Sequence, residues 1–109
     1  MEESILTSIK GMIGPLDDVF DTDLIIHINS VFMILTQLGV GPKEGFFIED
    51  DSTTWNEFIP DLLKFQAVKT YMYLKTKMVF DPPNSSVMKD SMLKNIDELE
   101  WRLNAEADY

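Results

Sequence analysis

The sequence contains no cysteine and one histidine, His27. The first absence excludes disulfides, thiolate nucleophiles and thiolate metal sites, and fits an intracellular product. The second leaves no zinc site unless carboxylates alone complete it beside His27. Bases are scarce: 9 Lys and Arg stand against 19 Asp and Glu, a formal net charge of −10. Summed over the molecule, that charge repels DNA and anionic membrane, though it leaves room for a local basic patch. Polar residues break even the richest apolar stretch, so no run reaches membrane-spanning length. The opening MEESILTSIK is acidic and lacks the basic region of a secretory signal. Internal repeats and low-complexity tracts are also missing. At 109 residues the chain makes one domain, 1–109, with a thin core that oligomerisation would help to stabilise.

What is present is helical periodicity. The chain is organised around Asp23–Leu38, where Leu24, Ile28, Val31, Leu35 and Leu38 make one apolar stripe, widened by Ile25 and Phe32. The polar side carries Asn29, Ser30, Thr36 and Gln37, but Ile26 and Met33 stand among them at i and i+7. An apolar pair on a polar face calls for a covering partner, either another helix of the same chain or another subunit.

A first helix over Glu3–Met12 ends at Gly14-Pro15, and Leu16–Asp21 forms a loop anchored by Val19 and Phe20. Asp21 or Thr22 is placed to cap the central helix. Gly39, Gly41, Pro42 and Gly45 mark a long turn after it. Phe46-Phe47-Ile48 then reads as a short extended segment, followed by the acidic Glu49-Asp50-Asp51. Thr54-x-x-Glu57 matches a capping box, and Pro60 suits a first helical position. A second long helix over Asp61–Phe80 carries Phe65, Val68 and Met72 on one line and Ala67, Tyr71, Leu74 and Met78 on the next. Asp81-Pro82-Pro83 stops it. A last helix, capped by Ser85 or Ser86, runs to about Asn104 with Met88, Met92, Ile96, Leu99 and Leu103 as its stripe. Asp90–Lys94 and Glu98–Arg102 are spaced as i,i+4 ion pairs, and the tail Ala105–Tyr109 reads as loose. The expected fold is all-α: a small bundle of four to five helices with a Gly/Pro-rich loop or small β-ribbon between the second and third.

Catalytic chemistry has no foothold in this pattern. His27 reads as a structural helix residue. Glu49-Asp50-Asp51 lacks the alternating ligand spacing of a calcium loop. Gly39-Val40-Gly41 follows no strand and opens no helix, so it is no phosphate loop. No catalytic residue, metal ligand or cofactor is expected, and no enzyme is read. Lys64, Lys69, Lys75 and Lys77 share a helix with Phe65, Tyr71 and Tyr73. They support an alternative, a small DNA-binding regulator, only if they form one exposed stripe. An acidic subunit or inhibitor that binds a basic partner is a third reading. The candidate interface residues are Ile26, Met33, Phe46, Phe47, Ile48 and Trp101.

The order of features resembles the head–tail connector proteins of tailed bacteriophages, also called adaptor or head-completion proteins. The residues that carry the likeness are ILTSIKGMIG, DTDLIIHINSVFMILTQLGVGP, FFIEDDSTTWNEFI, VKTYMYLKTKMVFDPP and the closing ELEWRLN. The resemblance implies an all-helical, non-catalytic structural protein of the virion neck, assembled in the bacterial host cytoplasm. It implies a homo-oligomeric ring, commonly dodecameric, below the portal protein, with a downstream neck or tail protein on the other side. Genomic DNA would pass through without tight binding, and no membrane would be involved. The tail after Asn104 is short, so a long arm reaching into a neighbour is not implied.

Overall fold

The computed structural model describes residues 2–14 and 17–105. Pro15, Leu16 and the tail beyond Ala105, on which expectations were placed, lie outside the described residues. Among the described residues there are five α-helices and one short 3-10 turn. They are α1 (Ile5–Ile13), the turn Asp18–Phe20, α2 (Asp21–Gln37), α3 (Trp55–Phe58), α4 (Leu62–Phe80) and α5 (Ser86–Ala105). No strand forms among them, so the fold is all-α; an isolated bridge joins Ser4 to Thr54, the last residue of the loop between α2 and α3.

Side-chain caps set most of the boundaries. Ser4 accepts from the Thr7 N–H at 3.1 Å and opens α1. Glu57 accepts from the Thr54 N–H at 2.7 Å, one half of the expected capping box. The start of α2 differs from expectation. Asp17 accepts from the Val19 N–H and begins a 3-10 turn that runs directly into the helix, so Asp21 is helical and Phe20 holds the cap position. The Lys10 ammonium, 2.7 Å from both Asp18 and Asp21, ties this entry to the end of α1. Pro60 also misses its expected place, standing two positions before the first helical residue, Leu62. Asp61 is the true cap of α4, accepting from the N–H groups of Leu63 and Lys64 at 2.9 and 3.2 Å. Ser85 caps α5 through the Met88 N–H.

The hub of the packing is α4 rather than α2. Helices α1, α2 and α5 all pack on it, and it buries Phe65, Val68, Tyr71, Met72 and Thr76. Thr76, the one polar residue of the buried set among the described residues, donates its hydroxyl to the Met72 carbonyl at 2.7 Å, so its own polar atom is satisfied. The stripe of α2 is buried as expected at Leu24, Ile28, Val31 and Leu35, joined by Phe32. Trp55 is fully buried; its indole N–H donates to the Ser8 hydroxyl at 2.8 Å and its ring meets Phe65, which locks α3 between α1 and α4. On α5, Ile96 and Leu103 are buried, while Met88 at the near end of the stripe is exposed.

One expectation about α2 is overturned. The stretch Asp18–Gln37 is long and apolar enough to cross a bilayer by length and composition. The 3-10 turn lengthens the helical run, and the interrupting Asn, Ser and Thr are too weakly polar to disqualify it. Here one face of that helix is the core of the bundle.

Asp81 closes α4, and the chain leaves helical geometry until Ser86. Helices α4 and α5 then pack as a hairpin across the Pro82-Pro83 corner. Replacing both prolines with alanine should enlarge the unfolded ensemble, costing up to about 1 kcal/mol per site. Thermal denaturation should show a Tm lower by roughly 4–8 °C per kcal/mol with helix content kept. A double variant more stable than the parent would refute the rigid-corner role.

Candidate functional site

The residues nominated as an interface separate into two kinds. Across Phe46-Phe47-Ile48 the burial alternates: half-buried, exposed, buried. Phe46 turns inward and joins Phe32 and Phe58 in an aromatic cluster with centroids 4.7–5.1 Å apart. Ile48 is 2% exposed and belongs to the core. Ile48 is thus a core residue in the monomer, while Phe46 packs on the core and stays half-buried. Phe47, between them, points out and is 63% exposed. Gly41 shapes the same region. Its φ of +86° suits glycine, and a Cβ there would meet the Phe58 ring at 2.4 Å.

Asn29 holds this segment on α2, a role that periodicity concealed. Its side-chain amide donates to the Ile48 carbonyl at 3.0 Å and its oxygen accepts from the Ile48 N–H at 2.8 Å. The side chain thus satisfies both backbone groups of one loop residue, as a neighbouring strand would. Ile26 and Met33 lie three residues before and four after Asn29, on the same helix face. They are 63% and 62% exposed. The clamp therefore fastens the segment that carries the exposed Phe47 onto the helix that presents the exposed Ile26 and Met33. An Asn at that position reads from sequence as an ordinary solvent-facing residue. Only its pairing with Ile48, 19 residues on, distinguishes it.

Trp101 is 72% exposed on α5. At about 100° per residue it points well away from the buried Ile96 and Leu103, in line with Lys94 and the exposed Val87. It makes a second, separate apolar feature.

The lysines of α4 do not form a stripe. At 3.6 residues per turn Lys64 and Lys75 share a side, while Lys69 and Lys77 stand about 120–160° from them on other sides. All four are half-buried. Lys69 pairs with Glu3 and Lys77 with Asp81, and the Lys75 ammonium lies 5.9 Å from the centre of the Tyr71 ring. The duplex-reading alternative loses its geometric basis.

The titratable groups inside the bundle are structural. Burial, then the hydrogen bond to Glu100 at 2.7 Å, raise the Tyr71 hydroxyl above its usual range. Burial, then the nearby Lys75 charge, lower His27, against a hydrogen bond to the Lys75 backbone. A lowered histidine pKa means the folded state binds protons less readily, so this contribution is full above the ordinary histidine range and is lost as pH falls through it. Among the described residues no group of three His, Asp or Glu is placed to hold a metal. A cleft of about 400 Å³ lies between Gly41, Pro42, Phe58, Pro60, Leu63 and Leu103. Its one carboxylate, Asp61, is already engaged as the α4 cap.

Comparison with known families decides what this arrangement belongs to. Residues 5–109 match the family described as phage connector protein. The chain is a member of the phage connector family. Membership makes it a structural component of the phage particle that meets other head or tail proteins, in a family that is typically non-enzymatic. No curated protein and no solved structure matches the chain.

The clamp gives a direct test of how the connector surface is built. Asn29→Ala leaves a partly buried backbone N–H and C=O unpaired and should cost about 1–3 kcal/mol. Asn29→Asp retains the acceptor and should lose less. Hydrogen exchange at the Ile48 amide should accelerate in the alanine variant; unchanged protection there would show that the loop is held by other contacts.

Proposed function

We infer that this connector is a single structural domain that assembles as a homo-oligomeric ring, dodecameric in the assembled virion, below the portal protein. There it extends the DNA channel and joins the head to the next neck or tail protein. The observation that carries the reading is the match to the connector family over residues 5–109, and the exposed Ile26, Met33 and Phe47 supply uncovered apolar side chains for contacts within the neck. Trp101 supplies a second exposed anchor, of the residue type that most often dominates protein interfaces. Both surfaces suit contacts with neighbouring subunits or adjoining neck proteins. No catalytic role, cofactor or membrane partner is part of this reading, and assembly takes place in the bacterial host cytoplasm.

A ring subunit must present two side faces and two ends, which accounts for large apolar side chains left uncovered on so small a chain. A conduit for DNA must also let it slide. The net charge of −10 supports that, because phosphate is repelled rather than held.

Phe47→Lys and Met33→Lys should fold nearly as well as the parent, within about 0.5 kcal/mol, since both side chains are exposed in the monomer. Assembly in the presence of the portal protein, followed by sedimentation or electron microscopy, should be at least about tenfold weaker, because an unpaired charge is costly to bury. Variants that unfold in isolation would place these residues in the monomer core and overturn the assignment. Binding of random-sequence duplex should be weaker than about micromolar at physiological salt. Tighter, salt-sensitive binding would contradict the conduit role.

A further inference from the structure

The Ile26–Met33–Phe47 surface has a rim of one sign. Asp23 lies three residues before Ile26 on the same helix. Glu49, Asp50 and Asp51 follow directly on the clamped Ile48 and are all exposed. Among the described residues none of these four carboxylates has an ion-pair partner; Asp50 accepts only from Ser52. The nearest cation along the loop, Lys43, already has an interaction of its own. The surface is an apolar centre with an unneutralised acidic border.

That border restricts the occupant. DNA and anionic lipid are repelled. A second copy offering the same surface would set carboxylate against carboxylate, which costs specificity and association rate. The other exposed apolar feature, around Trp101, is no better match. Lys94 lies on that face, but Asp90 and Asp97 lie beside it, and the expected Asp90–Lys94 pair is not among the ion pairs formed while Glu98–Arg102 is. An apolar centre with a basic rim is what the acidic border complements, and the Trp101 face does not supply one.

We propose that the Ile26–Met33–Phe47 surface docks a different protein, through an apolar segment flanked by lysine or arginine. This deepens the connector reading and rests on it: the surface is the joint to an adjoining neck or head protein, and copies of the chain meet one another elsewhere. Apolar anchors would enter beside Phe47 and Met33, and the flanking cations would neutralise Asp23 and Glu49–Asp51.

Two synthetic amphipathic peptides with the same Leu/Phe seam test this directly, one bordered by lysine and the other by glutamate. The lysine-bordered peptide should bind the purified chain at least about tenfold more tightly at low salt, and the preference should shrink as salt rises. Amide shifts should centre on Ile26, Met33 and Phe47. Neutralising the border with Glu49→Gln, Asp50→Asn and Asp51→Asn together should remove the preference, and Phe47→Ser should remove the binding while the fold is kept. Equal binding of the two peptides, or a preference that survives neutralisation, overturns the proposal. Because the chain has no cysteine, Phe47→Cys also reports the contact in assembled necks. A disulfide joining two copies through position 47 would overturn this inference and leave the ring intact. A chain that forms no ring with the portal, yet keeps the peptide preference, would overturn the ring reading alone.

Discussion

The structure depends on α4, the helix on which α1, α2 and α5 all pack. It takes α5 along one side and α1 and α2 along others, with α3 wedged against its first turns by Trp55. The molecule measures 37 × 31 × 20 Å along its principal axes, and the shortest of these is about two helix diameters. In a slab that thin, one helix can sit between others and the rest must keep a face to the outside. Exposed apolar residues on α2 and α5 follow from that geometry and from the short chain. They are not failures of burial, because the opposite faces of the same helices are closed.

The α2 surface shows how function is built on that constraint. A helix back alone would offer two separate apolar side chains, Ile26 and Met33. Asn29 turns them into a surface by fastening a loop residue from 19 positions away. Its two hydrogen bonds hold the loop at Ile48, where Phe46 and Ile48 face inward and Phe47 outward. The same bonds place the acids Glu49–Asp51 at the border.

Electrostatics divide the molecule by role. Basic residues are mostly consumed internally: Lys10 by Asp18 and Asp21, Lys69 by Glu3, Lys77 by Asp81, Arg102 by Glu98. Acids outnumber them two to one and are left over on the surface. Such a charge balance repels nucleic acid while remaining attractive to basic protein surfaces.

Much of this was legible in the residues taken one after another. The apolar stripe of α2, the capping of α3 by Thr54 and Glu57, and the Pro82-Pro83 corner all depend on contacts within a few positions, where periodicity and local hydrogen bonding act directly. The family resemblance was legible for the same reason, since it rests on the order of such segments. The boundary at Asp61, displaced from Pro60, and the 3-10 entry to α2 were not, because competing local caps differ by less than tertiary packing supplies. The fates of Phe46, Phe47 and Ile48 could not be read either. Three adjacent apolar residues are equivalent until something decides which side of the backbone faces the core, and that decision belongs to Asn29, a partner distant in sequence. The linear chain determined the helices, their inner faces and the excess of negative charge, because these arise from neighbours along the backbone. Tertiary structure alone decided that α4 is the hub, that the lysines are dispersed and engaged, and that Ile26, Met33 and Phe47 form one surface, because each of these depends on which distant segments share a face.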